Sequence, residues 1–158
     1  MSANKIELSF DNFEQVEQRL QHLLDAGYRQ QGNWNLAQTA SHLNDWLIYP
    51  ITDYPKPALP TRMVLGILKI TSGRRLLKKT LASGFRSGGA TLKETVYEKD
   101  ALSDSAAVEQ YRKSIDRFRC HNGNLKPSPL FGHMTPQDML QLQLAHAGHH
   151  LSFLAPTS

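Results

Sequence analysis

The chain has 158 residues, 40% of them hydrophobic and 20% charged, with a formal net charge of +4. This balance suits one soluble globular domain over residues 1–158 and excludes a disordered or fibrous chain. The lone cysteine, Cys120, excludes an internal disulfide, and no stretch offers the ~18 consecutive apolar residues of a membrane span. With no apolar secretion-signal core behind Met1, the expected address is cytoplasmic.

The charge is unevenly placed. Between Asp53 and Glu94 there is no acidic residue and there are nine Lys and Arg. The other nine of the 18 bases face all 14 acids, so the remainder of the chain carries −5. The basic character belongs to segment 54–93.

In chain order, the first helix is expected from Asp11 to Ala26, capped by Asp11 or Asn12 and stopped by Gly27. Phe13, Val16, Leu20, Leu23 and Leu24 form its apolar stripe. After a short polar turn, a second helix runs from Trp34 to Tyr49 with Asn33 or Asn35 as cap, and Pro50 ends it. Pro55, Pro57 and Pro60 mark an extended linker. Thr61 to Leu81 reads as one or two short helices interrupted near Ser72-Gly73, Ser83 to Gly89 as a loop, and Thr91 to Tyr97 as extended chain.

A third long helix is predicted from Ser103 or Asp104 to Cys120, with Ala107, Val108, Tyr111, Ile115 and Phe118 facing in. The last helix opens at Thr135-Pro136-Gln137-Asp138, a capping box with proline at the first helical position, and continues to Phe153. Four long amphipathic helices with a long basic connection between the second and third predict an all-α four-helix bundle.

The chemistry lies in the histidines. His146 and His150, at i and i+4, point about 40° apart on a helix and share a side with Met139, Leu142 and Phe153. His42, midway along the second helix, can meet that face across a bundle. Three neutral imidazoles would bind a divalent ion and leave positions open for water or substrate. The bland alternative is a hydrogen-bonded core pair, but two buried rings with unpaired nitrogens would cost about 1–3 kcal/mol each. His22, His121 and His133 read as surface or capping residues.

Trp34-Asn35-Leu36-Ala37-Gln38, leading to His42, resembles the second-helix signature of the DinB/YfiT-like superfamily. Leu130-Phe131-Gly132-His133-Met134-Thr135-Pro136, followed by His146-x-x-His149-His150, looks like an uncharacterised branch of that superfamily. The resemblance implies a four-helix bundle with a three-histidine metal site at His42, His146 and His150. His149, about 60° from His146, is left a supporting, substrate-facing or packing role. One departure is that the branch tends to carry His-Pro before Phe-Gly where this chain has Ser128-Pro129, so that histidine's role is absent or moved to His133.

The resemblance further implies a metal-dependent, often thiol-dependent, transferase or a hydrolase acting on a small molecule. Zinc is the favoured ion, with nickel or iron as alternatives, and a low-molecular-weight thiol is an implied cosubstrate. No residue can be named as the general base. A homodimer is compatible with the family. The other reading is a non-catalytic bundle or binding module with structural histidines.

For the basic segment, Arg74, Arg75, Lys78, Lys79 and Arg86 form a candidate anion-binding rim for a carboxylate or phosphate. The simpler expectation is a solvated face whose apolar side packs on the bundle. Contact with an anionic membrane surface is a third and less favoured possibility. Nucleic acid is not expected as a partner, because the rest of the chain is acidic and aromatics are scarce in the basic stretch.

Overall fold

The computed structural model describes residues 5–86, 88 and 91–157, and the chain is mostly helical. Side-chain caps set the helix starts by satisfying free amides. Helix α1 (Phe13–Ala26) begins after Asn12, which accepts from the Gln15 amide at 3.0 Å. Helix α2 (Leu36–Ile48) is opened by a reciprocal box in which Asn35 accepts from the Gln38 amide at 2.8 Å and Gln38 accepts from the Asn35 amide at 3.0 Å. Helix α3 runs Leu59–Ser83, α4 (Asp104–Arg119) is capped by Ser103, and α5 (Pro136–Leu151) by the Thr135–Asp138 box.

The core is shared by α1, α2, α4 and α5. Phe13, Val16, Leu20 and Leu23 meet Leu36, Ala40, Leu43 and Leu47, with Val108, Tyr111 and Ile115 from α4 and Leu144, Ala147 and Leu151 from α5. The closest neighbours are α2 and α4, tied at their starts by Asp104. Its carboxylate accepts from the Ala37 amide at 2.8 Å and from the Tyr28 hydroxyl at 2.9 Å. The charge also sits in the first turn of α4, where the helix dipole favours an anion.

Three expectations are corrected. The polar turn after α1 contains strand β1 (Tyr28–Gln30), paired antiparallel with β2 (Leu154–Pro156), so α5 stops before Phe153. Gly27, at φ 71, makes the exit from α1 that allows this pairing. Thr91 to Tyr97 is not an extended run but contains a 3₁₀ turn, Lys93–Thr95. The loop expected at Ser83 to Gly89 begins one residue later, at Gly84, because Ser83 still belongs to α3, and Ser87 and Gly89 lie outside the described residues.

The third correction concerns the basic segment. The break near Ser72-Gly73 does not occur, and α3 is continuous for 25 residues. Gly73 serves close approach instead: a Cβ there would lie 3.0 Å from the Leu130 carbonyl oxygen. Nor does the apolar side of the segment pack on the domain. Gly73 and Leu77 are buried, but Leu59, Met63, Val64, Ile67, Leu68 and Ile70 face solvent. The long connection is therefore mainly one helix, seated by its second half against α5. Among the described residues, no helix is long and apolar enough to cross a membrane.

Candidate metal centre

One face of α2 sets the first ligand. Gln38, His42 and Asp45 lie at i, i+4 and i+7, and each bonds to the segment Thr95–Tyr97. The Gln38 amide donates to the Tyr97 carbonyl at 2.7 Å, His42 Nδ1 lies 3.1 Å from the Thr95 carbonyl, and the Tyr97 hydroxyl donates to Asp45 at 2.6 Å. A carbonyl only accepts, so His42 Nδ1 carries the proton and Nε2 of the neutral ring presents a lone pair.

That lone pair faces α5. His42 Nε2 lies 3.3 Å from His146 Nε2, and His150 Nε2 lies 3.0 Å from the same atom. All three ligand nitrogens fall within 4.8 Å of one another. Helix α5 is held in register by Gln143, one turn before His146, whose amide donates to the Trp46 carbonyl at 2.9 Å. The i, i+4 spacing of His146 and His150 then brings both rings to the same point.

Aromatic rings wall the cluster. Trp34 stacks on His150 at 5.2 Å and 9° and lies 4.8 Å from His42. Trp46 packs edge-on to His146, and Phe85 covers His146 at 5.0 Å and His149 at 5.9 Å. In this apolar setting the charged imidazolium is disfavoured. Burial lowers His42 to about 4, against the opposing effect of the Thr95 bond. Burial, then repulsion among the rings, lowers His150 to about 2 and puts His146 well below its ordinary value. The rings are neutral at pH 7, the state in which imidazole binds metals.

The donor set fits a divalent ion. Bonds of 2.0–2.1 Å at tetrahedral angles place neighbouring nitrogens roughly 3.3–3.4 Å apart. The 3.3 Å separation lies in this range, the 3.0 Å one falls a few tenths of an ångström short of it, and all three nitrogens stay within 4.8 Å of one another. Hydrogen bonding satisfies the trio less well. His146 Nε2 either shares one proton between two lone pairs or leaves its own lone pair facing that of His42. A central cation removes the conflict. Three nearby histidines thus could hold a metal ion, with the Thr95 carbonyl fixing one ring as outer partners of metal ligands do.

The remaining sequence candidates are dispersed. His149 packs against Phe85, His150 and Phe153, and lines a cavity of about 840 Å³ between α5, residues 5–11 and the end of α3. His133 is exposed before the start of α5, at the opposite end of that helix from His146 and His150. Ser128 is buried and its hydroxyl accepts from the Leu130 and Phe131 amides, closing a tight loop. Arg74, Arg75, Lys78, Lys79 and Arg86 are exposed and take part in no ion pair among the described residues.

Several contributors were not readable in advance. Thr95 acts through its backbone carbonyl, which leaves no residue-type signal, and Phe85 sits in a glycine-rich loop. The Gln38/His42/Asp45 stripe did carry a signal, since three long or charged polar residues recur at helical spacing on a helix with many buried positions.

No curated protein and no solved structure matches the chain. A family model described as "Protein of unknown function (DUF1569)" matches residues 2–157. Covering nearly the whole chain, that match means that the protein belongs to this family of unknown function.

Proposed function

We propose that this chain is a divalent-metal protein of the DinB/YfiT-like four-helix-bundle type. Its bundle is α1, α2, α4 and α5, and His42, His146 and His150 hold the ion. The convergence of three neutral imidazole nitrogens, two of the separations being 3.3 and 3.0 Å, carries the reading. Zinc suits the all-nitrogen donor set, and nickel or iron would also be accepted. A bound ion with open positions supplies a Lewis acid that brings the pKa of a water or thiol toward neutrality.

The chain's own residues do the rest. Thr95 fixes the tautomer of His42, while Trp34, Trp46 and Phe85 keep bulk water from the rings. His149 and Phe85 line the neighbouring cavity, which reaches none of the three ligands directly, and a small substrate or thiol would approach from there past Phe85, with Arg86, the next residue, as the candidate for an anionic group. The activity this supports is a thiol-dependent transfer or a hydrolysis on a small molecule. A reducing, cytoplasmic setting agrees with the exposed free thiol of Cys120.

Elemental analysis of untagged protein should find one divalent ion per chain, with none retained by His146→Ala. Metal-free wild-type protein that fails to take up zinc, nickel or iron at neutral pH would refute the site. Turnover of electrophiles with a panel of thiols then separates an enzyme from a binding module.

A further inference from the structure

Helix α3 carries a surface that the metal centre leaves unexplained. Of the large hydrophobic residues exposed among the described residues, all but Val96 lie between Leu59 and Ile70. Leu59, Met63, Val64 and Ile67 are more than half exposed, and Ile70 reaches 83%. At about 100° per residue they fan over roughly half the helix circumference: Val64, Ile67 and Leu68 lie on the side away from buried Gly73 and Leu77, while Leu59, Met63 and Ile70 continue the line of Leu77 beyond the part of the helix that is seated on the domain. Further along the same outer side, Ile67 and Thr71 give way to Arg74, Arg75, Lys78 and Lys79, all exposed. The first half of the outer face is apolar and the second half is basic.

We propose that this face docks on an anionic lipid bilayer, Leu59–Ile70 lying in the interface while Arg74, Arg75, Lys78 and Lys79 engage the headgroup charge. Three observations select this occupant. First, segment 54–93 has nine bases and no acid, so its charge complements an anionic surface. Second, the apolar residues cover a half-cylinder on a convex helix, which a fluid interface can wet. A protein groove would instead meet a narrow i, i+3/i+4, i+7 stripe. Third, among the described residues a second copy could offer a comparable apolar surface only on its own α3, and an antiparallel pairing of the two apolar halves would leave Arg74, Arg75, Lys78 and Lys79 of both copies without an acidic partner. Being too short of apolar residues to span, the helix would lie along the surface. The inference is independent of the metal site.

The test is flotation of the full chain with vesicles of phosphatidylcholine containing about 30% phosphatidylserine, against phosphatidylcholine alone. Binding should be about tenfold or more stronger on the anionic vesicles and should fall as salt rises. Ile67→Asp/Ile70→Asp and, separately, Lys78→Glu/Lys79→Glu should each lose about tenfold or more. Both variants change exposed residues and should keep wild-type helicity and melting. Absence of binding to anionic vesicles at low salt overturns the proposal, as does binding that Ile67→Asp/Ile70→Asp leaves intact. A dimer abolished by Ile67→Asp, or an acidic protein retained where vesicles are not, assigns the face to a protein partner and overturns it too.

Discussion

The contact between α2 and α5 and the outer side of α3 treat their side chains in opposite ways. At the first, polar side chains are drawn inward and most find partners: His42 Nδ1 has the Thr95 carbonyl, Gln143 has the Trp46 carbonyl, and Asp45 has Tyr97, while the Nε2 atoms of His42 and His150 both face that of His146. Along the second, large apolar side chains stand in solvent and the bases have no acidic partner among the described residues. A folded domain shows a few such departures, and each marks a place where something other than the chain's own packing has shaped the sequence. The first region brings three ligand-type nitrogens together, and the second leaves apolar and basic side chains uncovered.

The largest effect expected from that contrast is on pH dependence. His42 is neutral in the fold down to about 4, whereas in the unfolded chain it takes up a proton near 6.5. Its folded value is depressed, so the stability tied to the neutral ring is present above pH 6.5 and is lost as pH falls toward 4. For this almost fully buried ring the loss amounts to roughly 3 kcal/mol at most, and His146 and His150 add to it in the same direction. Urea unfolding of metal-free protein at pH 7.5 and pH 5 measures it. A flat profile would mean that the rings are not buried as neutral imidazoles.

Next comes the outer support of the ligand. Tyr97→Phe removes the 2.6 Å bond to Asp45 and loosens the segment that carries the Thr95 carbonyl. Metal affinity should fall by about tenfold, the lower end for outer partners of a ligand, with little change in helicity. Zinc titration against a competing chelator gives the number, and an unchanged affinity would show that Thr95 is held by other means.

Smaller still, and of opposite sign, are two glycine substitutions in α3. Gly73→Ala places a Cβ 3.0 Å from the Leu130 carbonyl and should destabilise by about 1 kcal/mol or more despite the gain in helix propensity. Gly66→Ala meets nothing within 4 Å and should stabilise by roughly 0.5–1 kcal/mol. Thermal melting of the pair distinguishes the seated half of the helix from the free half, and equal shifts would erase that distinction.

Much of the architecture was legible because capping chemistry is local. Asn12, Asn35, Ser103 and the Thr135–Asp138 pair all satisfy amides within three residues. The pairing of Tyr28–Gln30 with Leu154–Pro156 was hidden, since two three-residue segments far apart in the chain carry no pattern until the fold brings them together. Gly73 was misread as a break because propensity favours one, while the tight passage over Leu130 that requires it is a long-range fact. At the site, the His146/His150 spacing was plain in the sequence and His42 followed from its place on α2. Phe85 and the Thr95 carbonyl were not, since one acts from an irregular loop and the other through the backbone.

Both tryptophans of the chain, Trp34 and Trp46, lie against the histidine cluster. All of the protein's indole emission therefore originates beside that cluster, with none arising elsewhere to dilute it. A paramagnetic ion such as nickel or copper, if bound there as proposed, would quench the native fluorescence directly. Occupancy of the proposed site would thus be readable without a label.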